Sequence, residues 1–185
     1  MPARPKTTDA QIIQAARDLV ESKGRDWFSM NDVAASVGIR APSLYKRFKD
    51  RSSLLAAVEL QLWADLADLL AKAIIDNDPE ASVMAQAKAI RAFAASHPNS
   101  YSLFFDIRSE VTEEGTSARA AAVATLLGPL GALVGPDRAF ATARTLVPFL
   151  HGFISMQLAN GFRLGPGLDA AFENGVTTIL RGAAS

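Results

Sequence analysis

Polar and apolar positions alternate with helical period along nearly the whole chain. After Asp9, the residues Ile12, Ala15, Ala16, Leu19 and Val20 share one face, with polar residues between them. Thr8 or Asp9 can cap this first helix, and Gly24 ends it just behind Lys23. Trp27 and Phe28 follow, and two large aromatics beside a helix start are expected to plug a small core. Ser29-x-x-Asp32 has the form of a capping box with Asp in place of Glu or Gln, and opens a second helix whose apolar face is Val33, Ala34 and Val37. Gly38 suits a position of positive φ and turns the chain. Pro42 fits the first turn of a third helix, on which Ala41, Leu44 and Phe48 point inward while Arg40, Ser43, Lys46 and Arg47 point away, with Tyr45 at the boundary. Asp50 can cap a fourth helix, apolar on one side from Leu54 to about Ile75, which is about 30 Å of helix.

Beyond that point the pattern stops at Asp76-Asn77-Asp78 and resumes over 80–96 through Val83, Ala87, Ile90 and Ala94, with Met84 and Phe93 beside the stripe. His97-Pro98 is a stop and restart, because the residue before Pro is pushed out of the helical region. Tyr101 to Ile107 is dense in aromatics, and Val111 to Ser117 reads as a polar loop. Ala118 to Val134 is a small-sided helix expected to break near Gly128-Pro129. Over 138–160 two apolar stripes run side by side. One is Phe140, Ala143, Val147, Leu150, Ile154 and Leu158; the other is Leu146, Phe149, Phe153 and Met156. A helix apolar on two sides is buried on two sides, and Pro148 predicts a kink or local break in it. After Gly161 and Gly165-Pro166-Gly167, a final amphipathic helix carries Leu168, Phe172, Val176 and Ile179 and closes at Arg181-Gly182. The last two helices of each chain can form a four-helix dimer interface.

Composition adds constraints. The chain has no Cys, so no disulfide and no thiolate metal site. There is neither an N-terminal signal-like apolar segment nor an unbroken apolar run of about 18 residues. The expectation is a soluble, cytoplasmic protein without cofactor or metal. Net charge is zero but unevenly spread: residues 1–52 hold ten Lys/Arg against six Asp/Glu. A basic head on an acidic body suits a nucleic-acid partner for the head. Arg4 and Lys6 in the N-terminal arm can reach phosphates or a minor groove, or belong to an untethered terminus; the residues fit both.

The outward face of the third helix carries the chemistry. Lys and Arg neutralise phosphates or bond guanine O6 and N7, and Ser and Tyr hydroxyls bond phosphates or base edges. DNA contacts are expected from Ser43, Tyr45 and Lys46, then from Arg40, Arg47 and Lys49, with Thr7 or Thr8 at a phosphate and Ser29 at the mouth of the second helix. Lys49 lies where a phosphate would meet the start of the fourth helix.

These segments resemble the TetR family of bacterial transcription regulators. The resemblance rests on Asp32-Val33-Ala34-x-x-Val37-Gly38-Ile39, then Pro42-Ser43-Leu44-Tyr45-Lys46-Arg47-Phe48, then Lys49-Asp50-Arg51-Ser52-Ser53-Leu54-Leu55, and covers roughly residues 8–60. Arg40-Ala41 departs from the small or hydroxyl residues commoner there and bears on operator choice. The stretch FLHGFISMQLANGF at 149–162, with the upstream His97-Pro98-x-x-Tyr101-x-Leu103-x-Phe105, is similar to the ligand-sensing domain of a His-Gly-containing subgroup.

The resemblance implies an all-α homodimer: a helix-turn-helix DNA-binding domain over 1–52 and a helical ligand-binding and dimerisation domain over 53–185, about nine helices in all. It implies a repressor that binds a palindromic operator and is released when a small apolar or aromatic effector enters the body. Candidate effector-binding residues are Trp63, Met84, Phe93, Phe104, Phe105, Phe149, His151, Phe153 and Met156, with His151 as the polar anchor.

An enzyme reading finds no site. The two histidines, His97 and His151, lie in a turn and on an apolar helix, and no phosphate-cradling loop or metal-spaced cluster appears. A small helical enzyme whose catalytic groups converge from distant positions stays open. So does a helical adaptor, though it leaves the basic third helix unexplained.

Overall fold

The computed structural model describes residues 7–106 and 112–184. Arg4 and Lys6 of the arm, and Ile107 and Val111 at the ends of the aromatic run and polar loop, lie outside the described residues. Among the described residues the chain is all-α, with nine helices and no strand: α1 (Asp9–Lys23), α2 (Met30–Ser36), α3 (Ala41–Tyr45), α4 (Arg51–Lys72), α5 (Pro79–Ser96), α6 (Pro98–Leu103), α7 (Glu113–Val134), α8 (Pro136–Leu158) and α9 (Leu168–Ala184). They pack as two compact units. Of the described residues, one holds 7–63 together with 97–106 and 112–117; the other holds 64–96 and 118–184.

In the first unit α1 and α2 each start on a local bond. Thr8 and Gln11 form a reciprocal capping box at the start of α1. Ser29 and Asp32 do the same for α2, so Asp serves where Glu is usual. Ile12, Ala16 and Val20 of α1 are buried with Val33 and Ala34 of α2, Leu44 of α3, and Leu54, Leu55 and Val58 of α4. The aromatic pair Trp27-Phe28 splits. Phe28 is core and lies under the Arg51 guanidinium, 4.6 Å from its ring centre, whereas Trp27 is 80% exposed and plugs nothing. Trp27 lies in the bend after Gly24, and the one core position goes to Phe28.

α6 is held to α1 by a carboxylate. Pro98 opens the helix and His97 offers no side-chain cap. Glu21 supplies it instead, accepting from the backbone N–H groups of Asn99 (3.2 Å) and Ser100 (2.9 Å), while Asn99 Nδ2 donates to the Glu21 carbonyl (2.8 Å). Arg25 reaches Asp106 at 2.8 Å and the buried Glu59 at 3.5 Å.

In the second unit α5, α8 and α9 pack on one another. Asp78 caps α5, and buried Ser82 bonds both the N–H and the carbonyl of Ile75, holding the turn before it. Two expectations are corrected here, and for Pro148 the local break is excluded. Residues 113–117 are not loop: Thr112 caps α7, its hydroxyl accepting from the Gly115 N–H, and Glu113 and Glu114 occupy the first turn, where carboxylates suit the helix dipole. α7 does not break at Gly128-Pro129 but runs on to Val134. The carbonyl that Pro129 would leave open, that of Thr125, accepts from Gln86 Nε2 at 3.2 Å. α8 likewise runs unbroken through Pro148.

The stripes on α8 also resolve. Ala143, Leu146, Leu150 and Ile154 are buried, but Phe140 is half exposed beneath the Arg144 guanidinium and Met156 is exposed too. α8 ends in a left-handed Asn160, with the Gly161 N–H closing back on the Met156 carbonyl at 2.7 Å. α9 continues past Arg181-Gly182 to Ala184.

Candidate DNA interface and effector-binding residues

The turn from α2 to α3 is a Schellman motif. Gly38 has φ +68°, its N–H donates to the Ala35 carbonyl (3.1 Å), and the Ile39 N–H donates to the Ala34 carbonyl (2.9 Å). Pro42 lies in the first turn of α3. α3 is shorter than the sequence pattern implies, ending at Tyr45; Arg47 and Phe48 both turn their N–H groups back to the Leu44 carbonyl. Leu44, fully buried, is its anchor, with Ala41 and Phe48 half-buried.

What α3 leaves outside is the set expected from the sequence. Arg40, Ser43, Lys46 and Lys49 are exposed, and Tyr45 is 52% exposed. Arg40 and Lys46 make no ion pair among the described residues. The other candidates have work inside the protein. Arg47 pairs with Asp9 through Nε and donates to the Thr7 carbonyl at 2.6 Å, so it ties the start of α1 beside the end of α3. That tie brings Thr7 and Thr8 to the same neighbourhood. The Thr8 and Ser29 hydroxyls serve as caps; Ser29 also donates to Asp32 Oδ2 at 2.9 Å. Those bonds, with Lys23 at 3.2 Å, hold the Asp32 carboxyl below the usual carboxylate range, the Ser29 N–H contributing most. Asp50 is lowered in the same way by the Ser53 N–H it caps.

The effector candidates fall into two clusters. In the first unit Trp63 meets Phe104 edge-on at 4.6 Å, and Tyr101 bridges Phe104 and Phe105 at 6.3 and 5.5 Å. Burial pushes the Tyr101 phenol well above its ordinary pKa, so it remains a neutral hydroxyl. In the second unit Phe149 and Phe153 of α8 pack on Phe172 of α9 at 6.3 and 5.1 Å, and Phe153 also meets Phe162 at 4.8 Å. Met84 and Phe93 are half-buried on α5. His151 is half-buried, with Ser155 Oγ 3.5 Å from Nδ1; burial lowers its pKa and keeps the ring neutral. Met156 faces outward. An open groove of about 480 Å³ lies elsewhere, between α8 and α9, lined by Arg138, Thr142, Thr145, Thr178 and Ile179 among others.

Sequence reasoning passed over three polar residues. Arg91 lies above the Phe172 and Phe153 rings (4.8 and 5.6 Å) while donating to Gln157 Oε1 at 2.7 Å and pairing with Asp169 at 2.8 Å. Gln86 is fully buried between α4 and α7, and Glu21 caps α6. For Gln86 there was a signal: it falls at i and i+7 with Phe93, on an otherwise apolar face.

Comparison with known proteins covers both parts of the chain. Residues 12–58 match the family model of bacterial regulatory proteins of the tetR family, and residues 83–179 match the tetracyclin repressor-like C-terminal domain. An uncharacterized HTH-type transcriptional regulator of Mycobacterium tuberculosis, Rv0681, is 27% identical over 97% of this chain and 84% of its own. A Rhodococcus sp. RHA1 protein of unknown function has the same fold, with TM-score 0.84 and 21% identity over the full length of both chains. So has a TetR variant from Acinetobacter baumannii AYE solved in complex with minocycline, with TM-score 0.68 and 22% identity over 96% of each chain. Both parts of the chain thus match the models of one family, and the chain belongs to the TetR family of bacterial transcription regulators.

Proposed function

We propose that this regulator is a homodimeric repressor that binds a palindromic operator and is released by a small apolar or aromatic effector. The observation that carries the DNA part is α3: one buried residue, Leu44, anchors it, and Arg40, Ser43, Tyr45 and Lys46 all stand outside. Lys46 and Arg40 neutralise phosphates or bond guanine, Ser43 and Tyr45 read base edges or phosphates, and Lys49 meets a phosphate at the start of α4. Arg47 orients Thr7 and Thr8 towards the backbone through its bonds to Asp9 and the Thr7 carbonyl. On this reading residues 1–52 form the DNA-binding domain and 53–185 the effector-binding and dimerisation domain, in a cytoplasmic protein.

Dimerisation falls to α8 and α9, whose groove and half-exposed Phe140 offer an apolar surface to a second copy. Two copies then set their α3 helices about 34 Å apart or a little more, in successive major grooves, and the operator is an inverted repeat. Within the second unit the effector contacts come from Met84, Phe93, Phe149, His151 and Phe153. A small-molecule effector accords with the fold likeness to a protein solved with minocycline. The effector favours a state whose heads no longer match the operator spacing.

A gel-shift titration with duplexes from the gene's own upstream region tests the reading. An inverted-repeat duplex is retarded, with affinity falling by orders of magnitude between about 50 and 200 mM salt. No retardation at low salt on any such duplex defeats the reading.

A further inference from the structure

We infer that the effector carries a hydrogen-bond donor, an N–H or O–H on an otherwise apolar body, and that it donates to the side-chain oxygen of Gln86. This inference rests on the effector-binding reading above and gives that effector a chemical class.

Gln86 lies on α5 and is wholly buried. Both hydrogens of its amide are committed: Nε2 donates to the Leu70 carbonyl at the end of α4 (3.1 Å) and to the Thr125 carbonyl on α7 (3.2 Å). The commitments fix the amide's orientation. Turned over, its oxygen would face two carbonyl oxygens, and both of those would lose a donor. The oxygen, Oε1, therefore has a determined position, and it accepts from no group among the described residues.

The hydroxyls one turn away on the same helices are spent elsewhere. Thr125 Oγ1 donates to the Ala121 carbonyl at 3.0 Å, and Ser82 Oγ to the Asp78 carbonyl at 2.7 Å. The structural duty of Gln86, satisfying the carbonyl freed by Pro129, accounts for its nitrogen and not for its oxygen. A buried acceptor without a donor is costly, and native proteins rarely leave one. On α5, Gln86 shares a face with Ile90 and Phe93 at i, i+4 and i+7, so the acceptor stands in line with a half-buried aromatic among the effector candidates. One fixed polar atom on an apolar wall is the usual means of orienting a ligand.

Indole and benzofuran test this, being bicyclic rings of one shape that differ in an N–H against an ether oxygen. Isothermal titration of each into the full-length protein is expected to give roughly tenfold tighter binding of indole. In Gln86→Met the two probes bind alike. Because that variant also takes a donor from each of the Leu70 and Thr125 carbonyls and is at risk of unfolding, the same point is read in the wild type. The Gln86 side-chain amide resonances shift on adding indole and stay in place on adding benzofuran. Equal affinities in the wild type, or unmoved Gln86 resonances with bound indole, overturn the inference. If both probes bind equally and still release operator, the effector reading stands and only the donor is lost. If neither binds at concentrations up to its solubility while operator binding persists, the inference and the aromatic effector fall together and the DNA reading remains.

Discussion

The Gln86 side chain donates to the carbonyl of Thr125, four residues before Pro129, and so replaces the helical bond that the proline cannot make. This explains why α7 passes through Gly128-Pro129 without a break. It also predicts a coupling. Gln86→Leu takes the side-chain donor from the Thr125 carbonyl, while the Leu70 carbonyl keeps the Ala73 N–H, and should cost about 1–3 kcal/mol for the one left unpaired. Pro129→Ala gives Thr125 a backbone donor again. In that background Gln86→Leu should cost less by about 1 kcal/mol, measured as a double-mutant cycle by urea unfolding. Strict additivity would mean that Gln86 does not serve the proline site.

The α2 start predicts an acid response. Asp32 accepts from the Ser29 N–H, and its folded pKa is lowered from the ordinary 3.8. A depressed carboxylate contributes stability that is fully present above its unfolded pKa and is lost as pH falls through the folded one. The loss therefore begins near pH 4 and deepens below it. Melting temperatures followed from pH 5 to pH 3 should fall more steeply for wild type than for Asp32→Asn, which has no such titration. Ser29→Ala, at neutral pH, should cost about 1 kcal/mol through the lost cap.

The head was legible because its signals are local. Ser29 and Asp32, Gly38, Pro42, Leu44 and Asp50 each act within three or four residues of themselves, and their spacing states what they do. The same local rules misled where a distant residue intervened. Pro129 reads as a break until Gln86, 43 positions earlier, takes over its bond. Trp27 and Phe28 are equal as sequence, and it takes the fold to show that Phe28, beneath Arg51, is core and Trp27 surface. In the body, aromatic spacing named Phe149 and Phe153, but that they pack on Phe172 follows from how α8 meets α9. Thr112-Glu113-Glu114 was a readable helix start, passed over for the Gly that follows.

Lys46 and Arg47 are neighbours with different expected phenotypes. Lys46 is exposed and free of ion pairs among the described residues, so Lys46→Ala should lower the slope of log affinity against log salt by about 1 if it meets a phosphate. Arg47 is held by Asp9 and the Thr7 carbonyl. Arg47→Ala should loosen the start of α1 as well, seen as faster amide exchange at residues 9–12. A Lys46→Ala protein with an unchanged salt slope would remove Lys46 from the interface.

Gly175, inside α9, should behave against helix propensity. Replacing an interior glycine by alanine ordinarily stabilises a helix by about 1 kcal/mol. At Gly175 the added methyl would overlap the Phe149 ring, whose Cε2 lies 2.7 Å from its place. The ring cannot withdraw freely, because Phe153 and Phe172 stand against it at 5.9 and 6.3 Å. Gly175→Ala should therefore destabilise by about 1–3 kcal/mol, the usual range for overfilling a packed site. Gly128 on α7 is the control: it is exposed, a methyl there meets nothing within 4 Å, and Gly128→Ala should be neutral or stabilising. Adding Phe149→Leu to Gly175→Ala should recover part of the loss by vacating the methyl's place. Denaturant midpoints of the four proteins decide the matter. If Gly175→Ala is as benign as Gly128→Ala, the Phe149 ring does not lie on Gly175, and the aromatic cluster between α8 and α9 is wrongly drawn.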